Sequence, residues 1–110
     1  MVVFGGQQGS KKMNDVCIFN FKNNQWERVK VQGDKLPPPR AGHSAVVRVD
    51  EKNDINRMYI FGGKLNHYQK LSDTWYFDLS TREWHEVEPS SPPSGRSGHC
   101  AAVFQHYMII

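Results

Sequence analysis

The side chains best suited to chemistry are His43 and His99, each preceded three positions earlier by an arginine, Arg40 and Arg96. A metal centre would need further ligands of matching type converging on these imidazoles, and the sequence offers none. Ser44 lies beside His43, but neighbours on a strand point to opposite faces, and no acid is placed to orient the imidazole. A hydrolase pair of carboxylates is also missing, because the acids fall in turns and outer strands. Gly5-Gly6 and Gly62-Gly63 lack the trailing Lys-Ser/Thr and the following helix of a phosphate loop. Cys17 and Cys100 are far apart, with no ligand-spaced partner, so neither a disulfide framework nor a zinc site is expected. No catalytic, cofactor-binding or metal residue is assigned, and the chain is expected to be non-enzymatic with no cofactor.

The histidines recur because the chain repeats. Val2-Val3-Phe4-Gly5-Gly6 returns as Tyr59-Ile60-Phe61-Gly62-Gly63, 57 residues on. Asp15 returns as Asp73 and Trp26 as Trp84, both 58 on; Arg40, Gly42 and His43 return as Arg96, Gly98 and His99, 56 on. Self-similarity at a period of tens of residues marks a repeat architecture. Residues that return once per period are structural devices, and His43 and His99 are expected to hydrogen-bond loop backbone. Gly5, Gly6, Gly62 and Gly63 are turn glycines, while Trp26, Trp84 and Trp75 are expected in the core.

Each period reads as four short strands. Residues 2–4 make a strand, 7–12 a polar loop, Val16-Cys17-Ile18-Phe19 a strand apolar on both faces, and Trp26 to Val31 an alternating outer strand. Three prolines at 37–39 exclude a central strand there, and Gly42 to Val47 is the next strand. The cycle continues with strands at 58–61, 74–77, 84–88, 98–104 and 107–110, and no helix is expected. Both cysteines lie in apolar runs, where they are expected as buried free thiols of a reducing compartment.

At 110 residues the chain suffices for one small domain, and its 38% hydrophobic content suits a globular one. The net charge of +3 is spread among acids in no long block, so no nucleic-acid partner is expected. No apolar run is long enough for a membrane helix, no basic flank marks a secretory signal, and a cytoplasmic location, with the nucleus open, is the expectation.

These residues resemble the kelch-repeat β-propellers over nearly the whole length. Phe61-Gly62-Gly63 is followed by Phe77 and, seven on, by Trp84; Phe4-Gly5-Gly6 is followed by Phe19 and, seven on, by Trp26. Both copies carry Phe where the kelch pattern usually has Tyr. The segment from Pro38 to Ala45 is similar to the longer intracellular kelch subtype. The resemblance implies an all-β fold of four-stranded antiparallel propeller blades. Residues 1–36 would be a partial blade (strands 2–4), 37–90 a complete blade and 91–110 the start of a third. Two blades fall short of a ring, which implies a piece of a larger propeller, or else protomers that close one together. Open blade edges also invite self-association.

The resemblance further implies a protein-interaction module, a scaffold or adaptor whose partners are cytoskeletal, ubiquitin-ligase or trafficking components. A fragment of a kelch-fold metalloenzyme and a glycan-binding propeller are the alternatives. Two roles stay open for Arg40 and Arg96: bracing a loop by pairing with Asp15 or Asp73, or touching a partner at the ligand-binding face. Scaffold features repeat while binding features need not, and the loops at 7–12 and 64–70 differ completely. Gln8, Lys11, Lys64, Asn66, His67, Tyr68 and Lys70 are therefore the remaining candidate partner contacts, with His67-Tyr68 as the hot spot; an ordinary solvated loop is the competing reading.

Overall fold

The computed structural model describes residues 1–110 as nine strands and one short 3-10 turn. Strands β1 (Val2–Gln8), β2 (Lys11–Asn20) and β3 (Gln25–Arg28) form a three-stranded antiparallel sheet in that order. Strands β4 (Ser44–Asp50), β5 (Ile55–Phe61), β6 (Thr74–Asp78) and β7 (Glu83–Val87) form a four-stranded antiparallel sheet. A hairpin of β8 (Ala102–Phe104) and β9 (Tyr107–Ile109) follows. These are the successive blades of a propeller-type all-β fold.

Cross-strand register explains the core. Ile60 faces Trp75, Met58 faces Phe77, and Phe77 faces Trp84, so all five share one face of the second sheet. The first sheet turns Phe4 and Val16 towards them, with Val2 and Ile18 packed alongside. The Phe4 and Trp84 rings meet edge to face, with centroids 4.8 Å apart and an interplanar angle of 62°. Full burial of side chains this size stabilises by roughly 1.5–3 kcal/mol each, so the two sheets hold one another.

Several expectations change. Residues 7–12 are not a polar loop: they complete a long β1–β2 hairpin closed at Gly9-Ser10, with a register shift between Phe4 and Gly6. Ladder hydrogen bonds need no apolar side chain, so polar residues extend a strand wherever a partner strand runs alongside. Trp26 is 56% exposed where Trp84 is 3% exposed. Trp84 is covered by Phe4 of the preceding sheet, whereas the Trp26 ring has only Phe19 of its own sheet against it. The buried-thiol expectation also fails, since Cys17 is half-buried and Cys100 exposed; both are free.

Candidate interaction face

The hairpin tip of β1–β2, the loop between β5 and β6 and the Pro-rich segments before Arg40 and Arg96 gather at one end of the sheets. The glycine pairs make this possible. Gly6 N–H donates to the Arg40 carbonyl at 2.9 Å, and Gly63 N–H donates to the Arg96 carbonyl at 2.8 Å. Gly62 sits at φ +66°, and a Cβ there would lie 2.7 Å from the Arg96 carbonyl oxygen, so only glycine allows this approach.

Arg40 joins the first two sheets. Its backbone is held by the first one, N–H to Met13 carbonyl and carbonyl from Gly6, while its side chain reaches into the second. Both guanidinium NH groups donate to Asp73 carboxylate oxygens at 2.7 Å, Nη1 donates also to the Gly62 carbonyl at 3.0 Å, and Nε donates to the Pro38 carbonyl at 3.1 Å. Burial pushes the Asp73 carboxyl up, but the Arg40 hydrogen bonds and charge, with the Trp75 indole, outweigh it and hold Asp73 below its ordinary value. Arg40 has no accessible surface, so of its two open roles only the brace is geometrically present. Asp15 is not the partner; it lies 3.8 Å from Arg28. Arg96 repeats the backbone clip but not the ion pair, and its guanidinium donates only to Ser94.

His43 and His99 do not hydrogen-bond loop backbone as expected. The Nδ1 atoms of both are buried without a partner. His43 packs edge-on against Phe4 at 5.3 Å, and His99 against Phe61 at 5.6 Å with its Nε2 2.8 Å from Ser44 Oγ. Each ring is a wedge between a glycine-pair strand and the next loop. Burial and the nearby Arg40 charge push the His43 pKa down, outweighing a backbone hydrogen bond to Phe4 of β1 that raises it, which suits a neutral packing ring. No three His, Cys, Asp or Glu side chains converge anywhere in the chain.

The 64–70 loop is ordered by its own backbone. Lys64 exchanges N–H and carbonyl bonds with Ala41, Leu65 N–H donates to the Gln69 carbonyl, and Leu71 N–H donates to the Gly63 carbonyl. Asn66 Oδ1 accepts from the N–H groups of Tyr68 and Gln69 at 2.9 and 2.8 Å, an Asx turn that lifts the loop tip. Tyr68 at that tip is 97% exposed. His67 and Lys70 are exposed beside it, Lys64 is half-buried, and Gln8 and Lys11 pair across the neighbouring hairpin. Sequence reasoning named Asn66 as a contact; the structure gives it a positioning task.

Repeating sheets, clipped glycine pairs and the matched Trp26 and Trp84 coincide with a family pattern, and the family model described as "KLHDC2/KLHL20/DRC7 Kelch-repeats domain" matches residues 1–110. The chain belongs to the kelch-repeat family. Among kelch-containing and other curated relatives, it is 33% identical to dynein regulatory complex subunit 7 of Chlamydomonas reinhardtii, over 100% of this chain and 9% of that protein. It is 31% identical to Rho GTPase-activating protein gacHH of Dictyostelium discoideum, over 98% of this chain and 7% of that protein. It is also 31% identical to human host cell factor 2, over 94% of this chain and 14% of that protein. The kelch blades described here thus span less than a sixth of each of these relatives.

Proposed function

We propose that this chain is a non-enzymatic protein-interaction module of scaffold or adaptor type, acting in the cytoplasm or nucleus, with the loop end of its blades as the docking face. The observation that carries this reading is Tyr68, a large amphipathic side chain almost wholly exposed on a loop its own hydrogen bonds hold in place. A rigidly presented tyrosine offers contact area at low entropy cost. Around it stand His67, Lys64, Lys70, Lys11 and Gln8 as the adaptable polar rim, with Arg96 at the margin. Protein partners fall in the ubiquitin-ligase, cytoskeletal or trafficking classes, and a relative named as a dynein regulatory complex subunit supports the cytoskeletal one. Self-association through open blade edges belongs to the same reading, and light scattering on the purified chain measures it.

The test is site-specific photo-crosslinking in the full chain. A crosslinker at position 67 should trap a discrete protein that Tyr68→Ala abolishes, while thermal unfolding stays within roughly ±0.5 kcal/mol of the parent, as at ordinary surface sites. A crosslinker at Lys52, in the turn at the opposite end, should trap nothing in common. Equal trapping from both ends, or trapping indifferent to Tyr68, would refute the assignment.

A further inference from the structure

We propose that the cleft between the β1–β2 hairpin and the 64–70 loop receives an acidic side chain of a peptide segment. This rests on the loop end being the docking face and names the chemistry that end selects. The cleft has a volume of about 250 Å³ and is walled by Gln7, Ser10 and Lys12 from one sheet and Lys64, Asn66 and His67 from the next. That volume suits one or two side chains.

Its electrostatics are one-sided. Residues 7–12 and 62–72 contain Lys11, Lys12, Lys64 and Lys70 and no Asp or Glu. None of these lysines takes part in any of the chain's five ion pairs, every one of which is made by an arginine. The acids nearest in sequence are already engaged: Asp73 holds Arg40 and the Trp75 indole, and Asp15 faces Arg28. The opposite end of the sheets is mixed in sign, with Asp50, Glu51 and Asp54 beside Lys52 at one turn and Asp78 and Glu83 beside Arg82 at the next. The blades are thus charged differently at their two ends, and like-signed uncompensated lysines around a concavity focus potential onto an incoming anion.

The cleft is also ready to hydrogen-bond. Lys12 Nζ donates to Gln7 Oε1 at 2.9 Å, which directs an ammonium over the wall and leaves two further protons for a carboxylate. Ser10 and Asn66 add neutral donors on either side. A segment lying across the cleft would place its neighbouring residues against Tyr68. A nucleic acid fits less well: the four lysines follow no stripe, and Tyr68 stands alone with no second aromatic at base spacing.

The test uses fluorescent decapeptides and the full chain in low salt. An alternating Glu/Ala peptide should bind; its Gln/Ala counterpart should not. Binding should weaken steeply from 20 to 200 mM salt, because exposed charges are screened over about 10 Å at 0.1 M. Lys12→Glu with Lys64→Glu should reduce binding by about tenfold, since each exposed pair is worth a factor of a few, and should leave the melting temperature unaltered. Lys52→Glu, at the far end, should change nothing. A phosphoserine/Ala peptide distinguishes carboxylate from phosphate as the anion: tighter phosphopeptide binding would overturn the carboxylate assignment. Equal binding of the Gln/Ala peptide, indifference to the paired substitution, or stronger lysine-dependent binding of a ten-residue oligothymidine would each overturn the proposal. If crosslinking through Tyr68 succeeds while the charge reversal has no effect, the docking face stands and only the acidic ligand falls.

Discussion

Replacing Arg40 with alanine removes four hydrogen bonds at once, from Asp73, Gly62 and Pro38. It also leaves the Asp73 carboxylate without its counterion and opens a hole the size of a guanidinium at a fully buried position. Breaking one side of a buried pair costs about 3–5 kcal/mol when the remaining charge is stranded. Asp73 keeps 22% of its side-chain surface and the Trp75 indole bond, so part of that cost is screened. The expected loss is about 2–4 kcal/mol, read from urea unfolding of the purified chain by tryptophan fluorescence. Arg40→Lys should recover only part of it, because one ammonium cannot reproduce the two-pronged geometry. Asp73→Asn completes a double-mutant cycle, with a coupling energy above about 1 kcal/mol expected for residues in direct contact. Arg96→Ala is the internal control: it holds the same repeat position with only Ser94 as partner, so its loss should stay under about 0.5 kcal/mol, as for an ordinary surface change. Equal losses at Arg40 and Arg96, or a coupling near zero, would refute the brace.

Trp84→Ala should cost about 3–5 kcal/mol, as for other buried large aromatics; a loss under about 1 kcal/mol would mean that the Phe4–Trp84 contact does not join the sheets. Gly62→Ala combines a left-handed backbone with a Cβ 2.7 Å from the Arg96 carbonyl and should cost more than about 2 kcal/mol, whereas the same change at Gly9, with open space around it, should cost less. The pH dependence has a defined sign. His43 has a folded pKa below its ordinary 6.5, so the unfolded chain takes up its proton first, and stability present above about pH 6.5 should fall as pH drops through the lowered folded value. Asp73, likewise depressed from 3.8, should add a second loss below about pH 4, and His43→Phe should remove the first loss but keep the second.

Much of the fold can be read from the residue order because the repeat writes it twice. Phe4-Gly5-Gly6 and Phe61-Gly62-Gly63, each with its spaced Phe and Trp, locate equivalent strands, and the alternation around them orients each strand. Strand ends are less legible: residues 7–12 look like a loop because they are polar, yet pairing across the hairpin makes them strand. At the candidate site, the difference between the 7–12 and 64–70 segments marked where binding residues belong. Nothing local announced that Asn66 ties the turn presenting Tyr68, since Asx turns draw on a residue type common to all loops.

Some outcomes are decided by a partner that comes from another sheet. Trp84 is buried where it meets Phe4, so its burial belongs to the pair of sheets rather than to either strand. Arg40 finds its acid 33 residues on, at Asp73 of the next sheet. Residue type and period therefore determined the blades, their strand order and the glycine turns, which depend on neighbours along the chain and across one ladder. The tertiary structure alone decided which repeated residues are braces, which are wedges and which stand in solvent, because ion pairing, ring packing and clefts are made between sheets that only folding brings together.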